Sequence, residues 1–354
     1  MAIQTSTKLL GSVLGGLTLL AVAAGAQAPP AAGHGPYFPA DAPWYQDVSA
    51  APVDSESTAV INWLAGVGGW GGGRMQIDFS IEVLEADASA PFKSFTPTAD
   101  FFPGDCDLAQ VPLPAGGALE GEPDYQCASD GDCHLIVVHR PSHRLYEMWR
   151  ADVVGSTFNG GCLAVWNMDL TYPYGGRGND CSSADAAGFP IAPLLFNADE
   201  VAAGHIDHAL RFILPNSRMR RRVYVHPATH STFPTSGPAT APPYGARLRL
   251  RADYPLQNLP NDAARTVARA MQKYGILLAD GGTIALTAQS DRFTTAQWSG
   301  LLGPLDLRAL LVTDFQMVAA GDRFNYTGDC VRTTPLFNDG LELGTLAKWS
   351  GQTP

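Results

Sequence analysis

Seven of the eight histidines crowd into one stretch of chain, His134, His139, His143, His205, His208, His226 and His230, with His34 apart. A neutral imidazole accepts or donates a proton near neutral pH and also ligates metals, so strands that bring such residues together would carry acid–base or metal chemistry. His208 and His230 are the two we assign as proton-transfer groups. His226 and His230 lie four apart and would share a strand face only if a strand continued through Pro227, which has no N–H for the ladder. Asp185 sits in SSADAAG, where little else among the small side chains calls for an acid. It reads either as a proton-transfer carboxyl of the kind glycosidic cleavage needs or as the N-cap of a short helix through Ala186 and Ala187. Arg247, with Arg211 as a second candidate, could hold a substrate carboxylate in its planar fork. The plain alternative is a solvated basic face shared with Arg249 and Arg251. Trp70, set among glycines, and Tyr172 and Tyr174, in a long polar stretch, are candidate stacking faces for sugar rings.

Other chemistries are less well served. There is no G-x-S-x-G, and Ser182 and Ser183 follow Cys181 rather than a strand-to-helix elbow. The glycines of GVGGWGGG lack the following helix and lysine of a phosphate-binding loop. Cys127 and Cys133 do not have the spacing of a zinc pair. No cofactor is predicted, although the histidines leave room for a metal. A net charge of −11 repels phosphate backbones, so nucleic acid is not an expected partner.

The elements that must position these residues begin after an export leader. Lys8, the apolar run from Leu9 to Ala24 and Ala26-Gln27-Ala28 spell a signal peptide over 1–28. The Pro/Ala/Gly-rich stretch 29–40 reads as a linker. Residues 41–354 form a single domain, with a two-lobed division near 195 as the alternative. No later segment is long and apolar enough to span a bilayer, so stable membrane insertion is not expected. Six cysteines in an exported chain read as three disulfides, their connectivity open. A pairing by Cys330 would tie the end of the chain to its middle.

With 37 Gly, 27 Pro and only 16% charged residues, turns and short strands are favoured over long helices. Residues 75–84, 134–139, 144–150, 162–170, 208–214, 222–226 and 246–251 carry strand patterns. We read 134–139 with 144–150 as a hairpin, 208–214 as paired with 222–226, and 276–278 with 283–287 as a hairpin around Asp280-Gly281-Gly282. Residues 261–274 carry an apolar helical stripe ending at Gly275, and 294–302 and 307–311 suggest short helices. The fold expected is mainly β, sandwich or jelly-roll-like, with one packed α-helix and disulfides.

The motifs FPADAPW at 38–44, SSADAAGFPIAP at 182–193, GHIDHALRF at 204–212, YVHPATH at 224–230 and KYGILLADGG at 273–282 resemble a group of exported bacterial proteins. That resemblance implies secretion, to the periplasm or beyond, and one coherent fold rather than an activity. Function is therefore expected from residue types. The leading expectation is a secreted enzyme, hydrolase or lyase, that cleaves a glycosidic bond of an extracellular polysaccharide by acid–base chemistry. A non-catalytic glycan- or wall-binding protein is the alternative, and a metal-dependent secreted enzyme is third.

Overall fold

Alternating residues of a strand point to opposite faces, so a sheet covered on both sides can feed two separate cores. One sheet of this protein does so. The computed structural model describes residues 33–129, 131–172 and 175–333. The expected leader, the start of the linker and Tyr174 lie outside the described residues. The principal elements are α1 (Ser57–Gly66), β1 (Ile77–Ile81), β2 (Leu84–Ala86), β3 (Leu135–His139), β4 (Arg144–Trp149), β5 (Cys162–Asn167), α2 (Ala198–Ala203), β6 (Leu210–Leu214), β7 (Val223–Val225), β8 (Arg247–Leu250), α3 (Asp262–Lys273), β9 (Ile276–Gly281), β10 (Leu286–Gln289), β11 (Phe315–Met317) and β12 (Arg323–Asn325).

The four-stranded sheet runs β5-β4-β3-β2, with β3 and β4 paired as the expected antiparallel hairpin. Ile136, Val138, Leu145, Ala164 and Trp166 enter the main core. Leu135, Val137, Met148 and Leu163, from the other face, enter a second core with Phe95, Val111, Leu113 and Phe158. Burial on both sides is why HLIVV reads as an unbroken apolar run. The six-stranded sheet has order β1-β10-β6-β9-β8-β11 and mixes parallel with antiparallel pairs. Helix α3, capped by Asn261 accepting from the Ala264 N–H at 2.8 Å, lays Ala264, Val267, Ala268 and Met271 into the main core beside β8. The architecture is mainly β, with several sheets, few helices and three disulfides, Cys106–Cys162, Cys127–Cys133 and Cys181–Cys330. Leu194, Leu195 and Phe196 belong to the main core. Among the described residues no helix is long and apolar enough to cross a membrane.

Several local expectations are corrected. Strand β6 pairs with β9 and β10, whereas β7 pairs with β12, so 208–214 and 222–226 do not form a hairpin. Strands β9 and β10 are not neighbours either, because β6 inserts between them, and Asp280 and Gly281 lie within β9, paired with Ile213 and Leu214 of β6, rather than in a hairpin turn. Residues 294–302 and 307–311 form turns, not helices. Residues 33–40 do not trail: Tyr37 and Phe38 are buried, and the Gly33 N–H bonds the Val83 carbonyl. Arg247 and Arg249 are buried on β8 rather than solvated. Arg247 Nε donates to the Tyr274 carbonyl at 2.8 Å, and Arg249 Nη1 serves the carbonyls of Val48, Ser49 and Ala51.

Trp70 is only 1% exposed, and its indole N–H donates to the Leu310 carbonyl at 2.7 Å between Phe212 and Phe315. The flanking glycines let the chain approach a neighbour: a Cβ on Gly71 would come within 2.3 Å of the Thr283 carbonyl oxygen. Trp70 is thus a core residue, not a sugar platform. Trp70→Ala is expected to lower the unfolding free energy by about 3–5 kcal/mol, to be read from a urea denaturation curve.

Candidate functional site

The loop between β5 and α2 is built around its own polar side chains. Ser183 Oγ donates to the Phe189 carbonyl at 2.6 Å and accepts from the Asp185 N–H at 3.0 Å. Asp185 Oδ2 accepts from the Ala187 N–H at 3.1 Å, so Asp185 closes a side-chain turn rather than capping a helix. Gly188 (φ +78°) follows where a Cβ would lie 2.2 Å from Thr229 Oγ1. The Cys181–Cys330 disulfide pins the loop to the C-terminal segment, as expected of Cys181.

Arg211 reaches this loop from β6. Its neighbours Leu210 and Phe212 face the core, while its guanidinium gives Nε to Asp185 Oδ1 at 2.8 Å, Nη2 to Asp280 Oδ2 at 2.9 Å and Nη1 to Thr287 Oγ1 at 3.3 Å. Two carboxylates thus share one buried cation. Burial and the charge of Asp280 push the Asp185 carboxyl up to about 7 against the pull of Arg211, while both carboxylates hold Arg211 charged despite its burial. The shared guanidinium reconciles these directions: the cation is firmly held, and the second negative charge is the costly one. Asp185 is wholly buried and out of reach of a polymer, so it acts on its loop.

That loop orients His230. The Ala186 carbonyl faces His230 Nδ1 at 2.7 Å, and the Tyr326 hydroxyl faces Nε2 at 2.8 Å. A carbonyl can only accept, so Nδ1 carries the proton and Nε2 is left to accept from the Tyr326 O–H. Burial lowers the His230 pKa and keeps the ring neutral. Burial, with the charges of Asp105 and Asp180, pushes the Tyr326 phenol up to about 12. Around this pair, Tyr244 Oη, Ser231 Oγ, Thr232 Oγ1 and Asp180 Oδ1 are buried with no hydrogen-bond partner among the described residues. Tyr244 and Thr232 lie close enough to influence one another, although their hydroxyls do not meet hydrogen-bond geometry. Asp180 (φ +61°) and Arg222 (φ +51°), two non-glycine residues in the left-handed region, hold the chain on either side of Tyr326: Asp180 accepts from the Thr327 N–H, and the Arg222 carbonyl accepts from the Tyr326 N–H.

Of the residues singled out in the sequence, Asp185 and His230 come together with Arg211. His208 does not join them: its ring lies between Glu200 Oε1 and the Ala209 carbonyl, and Glu200, against the cost of burial, raises its pKa. Arg247 is committed to the Tyr274 carbonyl. Strand β7 ends before Pro227, and His226 turns to Asn179 Oδ1, not toward His230. Tyr172 packs on Phe38 and Trp166 and accepts from the Asn167 N–H, which makes it structural. Tyr326 had no signal in the sequence, and Asp280 read as a turn residue. The histidines do not converge on a metal centre. Among the described residues the only cluster with closely grouped ligand atoms is Glu122 with Cys127 and Cys133, whose sulfurs are joined in a disulfide. Clefts lined by Tyr37, Arg140 and His143, by Phe79 and Trp298, and by Arg249 and Lys273 share no residue with the His230 cluster.

No protein-family model, curated protein or solved structure matches this chain, so the chemistry rests on the geometry.

A second ion pair, His134 Nδ1 with Glu120 Oε2 at 2.6 Å, stands beside Arg211, and His134 Nε2 meets the Ala184 carbonyl at 3.1 Å. Against burial, Glu120 raises the His134 pKa to about 9 from 6.5, and against burial His134 lowers that of Glu120 from 4.5. The raised histidine stabilises the fold fully below pH 6.5, and this contribution is lost as pH rises through about 9. The lowered carboxylate stabilises above pH 4.5, and its contribution is lost as pH falls through its folded value. Glu120→Gln is therefore expected to flatten the decline in urea midpoint between pH 6.5 and 9. Asp185→Asn, which removes the surplus charge and leaves Arg211 paired with Asp280, is expected to flatten the fall in urea midpoint between pH 3.8 and about 7.

Proposed function

We propose that this is an exported enzyme that cleaves a glycosidic bond of an extracellular polysaccharide, with Tyr326 and His230 moving the proton. The observation that carries the reading is the hydrogen bond from the Tyr326 hydroxyl to His230 Nε2, with the imidazole tautomer set by the Ala186 carbonyl. A phenol backed in this way can take a proton from water or from a sugar carbon while its own proton passes to Nε2, and can then return a proton to the leaving oxygen. Neutral His230 is the form that accepts, and its lowered pKa keeps that form at neutral pH. Tyr326 is half-buried, so the relay runs from the interior to the surface. The three disulfides suit an oxidising compartment, and the leader-like N-terminus and the resemblance to exported bacterial proteins support the same location.

The test is mass spectrometry of products after incubating the purified, oxidised protein with a panel of neutral and uronate polysaccharides. Shortened chains are expected. Tyr326→Phe and His230→Gln should each lower the rate by about 10²–10⁴-fold while the thermal unfolding midpoint stays close to that of the wild type. Full activity in both variants would overturn the reading. Retention of a glycan without any product would point instead to a binding protein.

A further inference from the structure

Beside the proton-transfer pair the surface carries an aromatic and cationic lip. Tyr326 packs on His230 with ring centroids 4.4 Å apart and on Phe233 at 5.3 Å, and the Arg222 guanidinium lies 4.6 Å above the Phe233 ring. This row runs from a buried imidazole to an exposed edge: Phe233 is 56% exposed, unusual for a large apolar side chain. Arg222 is exposed as well and makes no ion pair among the described residues. Of the nearby arginines in the chain, Arg220 is committed to Glu56 and Arg218 to the carbonyls of Gly69 and Trp70, while Arg221 is exposed but does not lie over the Phe233 ring.

The backbone is arranged to keep Arg222 there. The residue sits at φ +51°, a region that favours glycine, with its N–H given to Thr235 Oγ1 at 2.9 Å and its carbonyl accepting from the Tyr326 N–H at 2.9 Å. Arg222 is therefore tied to Tyr326 through the backbone. A flat apolar face joined to a free planar cation fits a sugar ring bearing a carboxylate: the ring stacks on Phe233 and the carboxylate takes the guanidinium fork.

Resting on the cleavage reading above, we propose that the Phe233–Arg222 lip is a subsite for a uronate residue, which makes the substrate an acidic polysaccharide. Asp105, Asp180 and Asp329 also act on Tyr326, so there is no broad positive field to draw anions in. Recognition then depends on direct contact with the Arg222 guanidinium. Arg247, the residue the sequence suggested for this role, is buried on β8, and Arg222 takes its place.

The experiment is titration calorimetry of the intact protein with tetragalacturonate and tetramannuronate, and with the methyl ester of each as the neutral control. The wild type should bind at least one acidic oligomer about tenfold or more tightly than its ester, the scale of one charge-assisted hydrogen bond. Arg222→Gln should lose that preference, Arg222→Lys should keep part of it, and Phe233→Ala should weaken acid and ester alike. Thermal unfolding of each variant confirms that it is folded. Absence of binding by the wild type, equal binding of acid and ester, or an unchanged preference in Arg222→Gln would overturn the subsite. Arg222-dependent binding without products would uphold the subsite and end the cleavage reading. Products from neutral glycans, indifferent to Arg222, would do the reverse.

Discussion

The guanidinium of Arg211 is the contact on which the site depends. A charge this deep is tolerated when it is paired and hydrogen-bonded, and here each of the three guanidinium nitrogens donates, to Asp185, Asp280 and Thr287. Those partners come from the β5–α2 loop, the end of β9 and β10, so one side chain on β6 fixes three segments at once. The two carboxylates exceed the one cation, and burial with the charge of Asp280 pushes the Asp185 carboxyl up. Ala186 and Ala187, held by Asp185, present their carbonyls to His230, which places the imidazole in a single orientation.

Loop geometry of this kind needs rigid walls. Glu147 on β4, wholly buried, accepts from the N–H groups of Ile191 and Ala192 at 2.8 Å and from the Trp166 indole at 3.0 Å, so the far end of the same loop is tied to the four-stranded sheet. Burial pushes that carboxyl up to about 7, against its three donors. The sheet can hold such a group because both of its faces are packed and neither core has room to relax. The C-terminal segment closes the arrangement. Its disulfide to Cys181, Thr327 on Asp180 and Arg332 on Asp107 bring Tyr326 to His230 from a distant part of the chain.

Much of the scaffold was legible. Period-two alternation marked β1 and β8, an unbroken apolar run marked β3, strand patterns marked β4, β5 and β6, the apolar stripe marked α3, and the even cysteine count marked a stapled protein, because each signal is local or compositional. Pairing was not legible. The assumption that consecutive strands pair failed for β6 with β7 and for β9 with β10, since partner choice depends on where the whole sheet places a strand. Burial was also misread where polarity is a poor guide. Arg247 and Arg249 alternate as a solvated face would, but backbone carbonyls of Tyr274 and Val48 await their guanidinium groups.

The sequence by itself determined the class of fold, the helix α3 and the polar loop containing Asp185, because spacing and composition act within a few residues. Only the tertiary structure decided which side chains meet. His230 and Tyr326 are separated by 96 positions and Asp185 and Arg211 by 26. Nothing along the chain announces a contact whose partners are set by strand order, a disulfide and the need to satisfy a buried charge.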